Sequence, residues 1–128
     1  MAYRIGIIDD SELVLEWTQS HLVRAGFEVV VHGSGFGIAN FITEASPHLL
    51  LMDVDMPGIT GDFLCKMVKQ GDWSQRVRVL LYSSSSERKL SELTRQCGAD
   101  GFVKKTDDPE ELIAQIKLHI AVLGCAPS

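Results

Sequence analysis

At 128 residues and 14.1 kDa the chain has room for one well-filled core and not two. A net charge of −5, from 17 acidic and 12 basic side chains, provides no general attraction to nucleic acid, so direct DNA binding is not expected. The opening MAYRIGIIDD lacks a signal-type apolar region and cleavage site, and no apolar run approaches the ~20 residues of a membrane span, so neither export nor membrane insertion is expected.

Ile5 to Ile8 is a short β-branched run that stops at Asp9-Asp10. Between Ser11 and Ala25 the residues Leu13, Val14, Trp17, Leu22 and Ala25 recur at helical period, with Glu12, Glu16, Gln19 and Arg24 opposite and Gly26 as a stop. His21 falls in the apolar arc and is expected to be a packed histidine, not a ligand. Val29 to Val31 reads as a second strand, followed by the flexible Gly33-Ser34-Gly35. Ile38, Phe41, Ile42 and Ala45 mark a short helix ending near Ser46-Pro47.

Leu49 to Met52 is a third, fully apolar strand that delivers Asp53 to a loop broken by Pro57-Gly58. Phe63, Leu64, Met67 and Val68 predict the buried stripe of a third helix closed by Gly71. Val77 to Tyr82 predicts a fourth strand running into Ser83 to Ser86. Leu90, Leu93 and Cys97 predict a fourth helix, with Ser84 and Glu87 spaced as a capping box and Gly98 as its stop. Gly101 to Lys105 predicts a fifth strand. Asp108 as N-cap, Pro109 at the first helical position and Glu111 at the third then open a last helix, whose buried face is Leu112, Ile113, Ile116, Ile120 and Leu123 and whose stop is Gly124. Cys65, Cys97 and Cys125 have neither metal-ligand nor disulfide-framework spacing, so Cys65 and Cys97 are expected as small buried hydrophobes in a reducing cytoplasm.

Strands alternating with helices predict an α/β fold, a doubly wound parallel sheet covered on both faces. Ligands of such sheets bind beyond the carboxyl ends of the strands, so the residues placed there are the functional candidates. They are Asp9 and Asp10, Asp53, Ser83 and Lys105. Clustered carboxylates oppose one another's ionisation until a cation compensates, and an all-oxygen set suits Mg²⁺ or Mn²⁺. A lysine and a hydroxyl beside them suit the oxygens of a phosphoryl group.

On these residues the chain resembles the receiver domain of two-component response regulators of the chemotaxis type. The motifs are Asp9-Asp10, Asp53 within LLLMDVDMPG, Ser83, and Lys105 within GADGFVKKTDDPEEL. The resemblance implies a flavodoxin-like (βα)5 domain over residues 1–124 with strand order 2-1-3-4-5, followed by a short tail at 125–128 and no effector domain. It implies that Asp53 accepts a phosphoryl group from a sensor histidine kinase or phosphotransfer protein. Asp9, Asp10 and Asp53 would hold the metal together with the backbone carbonyl of Asp55. Ser83 and Lys105 would bind the phosphoryl oxygens, and Phe102 would be a switch aromatic coupled to Ser83. The output would be a downstream protein bound at the face of the fourth helix, fifth strand and fifth helix, with a phosphorylation-dependent homodimer left open. The chain is then not an enzyme in the ordinary sense, since it would catalyse only its own phosphorylation and dephosphorylation.

Two departures stand out. Thr106 replaces the proline that usually follows the family lysine, and Asp55 and Ser85 place additional polar groups two residues after Asp53 and Ser83, where they are expected to be modulatory. Two other readings compete: a pseudo-receiver working without phosphorylation, and a haloacid-dehalogenase-type phosphatase suggested by Asp53-Val54-Asp55.

Overall fold

The computed structural model describes residues 3–71 and 76–123. The predicted helix stop at Gly124 and the tail with Cys125 lie outside the described residues.

Strands β1 (Arg4–Ile8), β2 (Glu28–His32), β3 (Leu49–Asp53), β4 (Arg78–Ser83) and β5 (Gly101–Lys104) alternate with helices α1 (Glu12–Arg24), α2 (Ile38–Ala45), α3 (Gly61–Gln70), α4 (Glu87–Cys97) and α5 (Pro109–Leu123). The strands form one sheet in the order β2-β1-β3-β4-β5, and every neighbouring pair is parallel. This is the doubly wound arrangement that the sequence predicts.

The apolar run of β3 follows from its central position, paired on both sides and with all five residues buried. Its side chains alternate between two cores. Leu49 and Leu51 join Ile5, Ile7, Leu80 and Val103 beneath Leu15, Leu22, Leu112 and Ile116 of α1 and α5. Leu50 and Met52 join Ile8, Val79 and Leu81 beneath Ile42, Leu64, Val68 and Leu90 of the opposite helices. Asp53 continues the strand at the point where both cores end.

Several local expectations shift. β4 lies one residue later than predicted, at Arg78–Ser83, while Val77 is still buried. The inward stripe of α1 is Leu15, Thr18 and Leu22, and Leu13 is 78% exposed. In α3 the inward residues are Gly61, Leu64, Cys65 and Val68, which leaves Phe63 and Met67 at 60% and 40% exposure. Both errors follow from the breadth of the apolar arc, since only residues spaced three and four apart share the buried line. The cap of α4 is Ser86, whose Oγ accepts from the Lys89 N–H at 3.2 Å. Ser84 is two residues too early to reach the first unpaired amides of a helix that starts at Glu87. Asp108 caps α5 as expected, accepting from the Glu110 amide at 3.0 Å. His21 is half-buried and edge-on to Trp17, with ring centroids 4.7 Å apart.

Gly61 opens α3 directly over the end of β3, and a side-chain carbon there would drive into the Asp53 carbonyl oxygen and lie within 2.9 Å of Val54 Cα. Both obstacles are backbone and cannot rotate away. Gly61→Ala is therefore expected to cost about 3 kcal/mol, an overpacking cost read from the urea unfolding midpoint. A loss below about 0.5 kcal/mol, the level of an ordinary surface change, would contradict the close approach.

Candidate functional site

Each strand brings one group to the same edge. β1 ends at Ile8, and Asp9 turns the chain into α1: its Oδ1 accepts from the Ser11 N–H at 3.0 Å, and Ser11 caps the helix by accepting from the Val14 N–H. One oxygen of Asp9 thus makes the turn. The other, Oδ2, lies 2.9 Å from Lys105 Nζ. β3 ends in Asp53, whose Oδ1 accepts from Lys105 Nζ at 3.2 Å. Lys105 itself follows β5 and extends the ladder by one bond, donating its backbone N–H to the Ser83 carbonyl at 2.8 Å. A single ammonium therefore bridges two buried carboxylates, with the Tyr82 ring beneath it at 5.3 Å.

Burial is the main influence on Asp53 and disfavours its charge. The Lys105 ammonium opposes this, the Asp9 charge reinforces it, and hydrogen bonds from Lys105 and the Asp55 amide oppose it again. The result is a carboxyl group raised to about 6 from 3.8. For Lys105 burial alone would lower the pKa, but the close Asp9 carboxylate, 2.9 Å away, together with the charge and hydrogen bond of Asp53, outweighs it and raises the value.

Asp10 is exposed at the mouth, and one carboxylate oxygen from each of Asp9, Asp10 and Asp53 lies within 4.8 Å of the others. Asp9 Oδ2 is buried and, though close to Lys105, lacks the alignment of a hydrogen bond. Its unused acceptor capacity, the all-oxygen donor set and the excess of negative charge fit a hard divalent cation such as Mg²⁺ or Mn²⁺.

The remaining predicted residues divide. Ser83 is buried at the end of β4 and engaged with Ser85, donating to Ser85 Oγ and accepting from the Ser85 N–H, each at 3.1 Å. Asp55 has its side chain in solvent, and its backbone amide favours the charged form of Asp53. Phe102 is half-buried against the core beneath α3 and α4, and its carbonyl oxygen is 2.8 Å from His119 Nε2. Where the family has proline, Thr106 builds the turn with its hydroxyl, which accepts from the Asp108 N–H and donates to Glu111 Oε2, both at 3.1 Å. No described peptide bond is cis.

Two participants escape the sequence reading. Tyr82 underlies Lys105, and its hydroxyl, 2.9 Å from Thr18 Oγ1 in the core, fixes the ring. Burial, partly offset by the Thr18 bond, raises the Tyr82 pKa. The only trace in the sequence is a threonine at 18, three residues after Leu15 and four before Leu22.

The family model for the response regulator receiver domain matches residues 5–117. Protein PilG of Pseudomonas aeruginosa is 26% identical over 117 residues, covering 91% of this chain and 87% of PilG. The DNA-binding response regulator MtrA of Mycobacterium tuberculosis is 26% identical over 120 residues, and the chain spans about half of it, 51%. Among solved structures, the chemotaxis response regulator CheY4 of Vibrio cholerae shares the fold with a TM-score of 0.84 at 22% identity, over 93% of this chain and 99% of that one. The BeF3-activated receiver domain of DrrB, a Thermotoga maritima regulator, gives a TM-score of 0.77 at 26% identity, over 94% of this chain and 99% of that domain. The chain belongs to the response regulator receiver domain family of two-component signalling.

Proposed function

We propose that the chain is a phosphorylation-dependent signalling receiver in which Asp53 is the phosphoacceptor. The observation that carries this reading is the ammonium of Lys105 held between buried Asp9 and Asp53 at the open edge of the sheet. An Asp53 oxygen attacks the phosphorus of a phosphohistidine on a sensor kinase or phosphotransfer protein, the phosphorus–nitrogen bond breaks, and the imidazole leaves. Asp53 must be ionised to attack, and Lys105 keeps an otherwise disfavoured carboxylate available. As charge builds on the phosphoryl oxygens, Lys105 turns from Asp53 to them and Ser83 exchanges Ser85 for one of them. Asp9, Asp10, Asp53 and the Asp55 carbonyl would hold Mg²⁺ or Mn²⁺, which when bound supplies charge neutralisation to the transferred group. Asp9 keeps α1 and β1 in register with the site throughout, through its bond to Ser11.

The donor protein docks where Leu13, Val14 and Trp17 meet Thr106 and Asp107 in an open, mainly apolar notch at the side of the site. The output is a change at the face of α4, β5 and α5, transmitted from Ser83 through Phe102 to a protein target. No helix among the described residues is long and apolar enough to cross a membrane, and the cytoplasm, where histidine kinases present their phosphohistidine, is the proposed location. The chain catalyses only its own phosphorylation and dephosphorylation.

With Mg²⁺ and beryllofluoride or a small phosphodonor, one adduct per chain is expected by mass, and none with Asp53→Asn. Lys105→Ala should slow phosphorylation about 100-fold, the scale of removing one charge-stabilising donor. Multiple turnover of a generic phosphate ester would point to a phosphatase, and absence of any adduct to a pseudo-receiver.

The raised pKa of Asp53 makes a thermodynamic prediction for the protein in EDTA. A carboxyl raised from 3.8 to about 6 on folding contributes stability below the lower value, and that stability is lost as pH rises through the upper one. Metal-free Asp53→Asn should therefore exceed the parent by on the order of 2 kcal/mol near neutral pH, with the gain vanishing near pH 4. Equal differences at both pH values in urea titrations would contradict the assignment.

Asp55 holds a second negative charge near the phosphoryl site. Asp55→Asn should change the dephosphorylation rate several-fold in a phosphate-release assay, and identical rates would remove Asp55 from the timing of the signal.

A further inference from the structure

At the opposite end of α3 from the acidic site, an open cleft of about 460 Å³ lies between the C-terminal ends of α3 and α4, lined by Lys66, Lys69, Arg95 and Cys97 among others. Lys69 is held by Asp100 at 2.9 Å, so Lys66 and Arg95, both exposed, carry the charge that meets an arriving anion. Cys97 borders this cleft with 5% of its surface exposed, and Cys65 of α3 is wholly buried against it. Cys65 donates its Sγ–H to the Cys97 carbonyl oxygen at 3.8 Å, which packs the buried sulfur against the residue that borders the cleft. A thiol serving only as core filling needs neither a second cysteine packed against it nor an opening onto basic side chains.

We propose that Cys97 and Cys65 form a redox-active dithiol that reacts with small anionic disulfides entering the basic cleft and closes a disulfide between α3 and α4. The Cys97 thiolate attacks one sulfur of the incoming disulfide, whose sulfur–sulfur bond breaks to release the first small thiol. Cys65 then gives up its proton to solvent and attacks the Cys97 sulfur of the mixed disulfide, releasing the second. The two cysteines lose two electrons and two protons, and the small disulfide becomes two thiols.

The two thiols are unequal, and this assigns their roles. The hydrogen bond from Cys65 favours the Cys97 thiolate, and with the Ala99 amide it outweighs burial and brings Cys97 down to about 7. The same bond, and then burial, push Cys65 up. Cys97, which borders the cleft, is therefore the attacking sulfur, and Cys65, wholly buried behind it, the resolving one. The site is separate from Asp53, and its chemistry stands whether or not Asp53 accepts a phosphoryl group.

The test uses the full chain carrying Cys125→Ser, folded, with oxidised glutathione as the probe and intact mass as the readout. The expected product has lost two hydrogens and retains no glutathione. Cys65→Ala in that background should stop at the mixed disulfide with one glutathione on Cys97, and Cys97→Ala should leave the chain unreacted. Lys66→Gln combined with Arg95→Gln should slow the reaction about tenfold with oxidised glutathione and leave the rate with uncharged 2-hydroxyethyl disulfide unchanged. Thiols of the Cys125→Ser parent that react only after urea is added would overturn the proposal. So would a Cys97→Ala chain that still takes up glutathione at the parent's rate, or equal slowing of both disulfides in the charge variant.

Discussion

The Lys105 ammonium between Asp9 and Asp53 is the interaction on which the carboxyl edge of the sheet depends. Two carboxylates at 1% and 5% exposure would each pay for desolvation and repel the other, and one cation at 2.9 and 3.2 Å offsets both costs. The compensation is incomplete, since Asp53 remains raised to about 6 and Asp9 Oδ2 remains poorly satisfied. A site balanced in this way is receptive: further positive charge is favourable near the carboxylates, and the lysine can exchange one oxygen for another.

That ammonium is positioned by both sides of the fold. Lys105 leaves the sheet from β5, while Asp9 and Asp53 leave from β1 and β3, so three strands must end at one level. The registers supply this, with Ile8 opposite Met52, Asp53 opposite Tyr82 and Ser83 opposite Lys104. Tyr82 carries the arrangement into the interior, with its ring under the ammonium and its hydroxyl on Thr18 of α1.

The site was legible in the sequence because it rests on strand ends, and short apolar runs stopping at charged or hydroxyl residues are easily seen. Asp9, Asp10, Asp53 and Lys105 were all found this way, and the structure brings them together. Helix faces were less legible. A stripe three or four residues wide does not say which edge meets the sheet, so Leu13, Phe63 and Met67 were expected inside and stand in solvent. The four serines after Tyr82 offered two helix starts, and only the position of the first unpaired amide chose Ser86 over Ser84. Thr18 and the Cys65–Cys97 pairing depend on contacts 64 and 32 residues apart, which no local pattern encodes.

β5 is an edge strand, and its outward backbone groups would ordinarily be left to solvent or to another chain. Here α5 occupies them. Gln115 accepts from the Lys104 N–H at 3.0 Å and donates to the Lys104 carbonyl at 3.2 Å, while His119 meets the Phe102 carbonyl at 2.8 Å. Gly101 has no side chain because His119 fills its place, with the ring 2.7 Å from where a Cβ would lie. The strand that bears Phe102 and leads into Lys105 is thus bonded to β4 along one edge and to α5 along the other. Movement of the lysine toward a new anion is resisted by β4 through the Ser83 carbonyl and by α5 through Gln115, so both elements share any displacement. On the function proposed above, this is the mechanical link by which a change at Asp53 would reach the face that α5 presents.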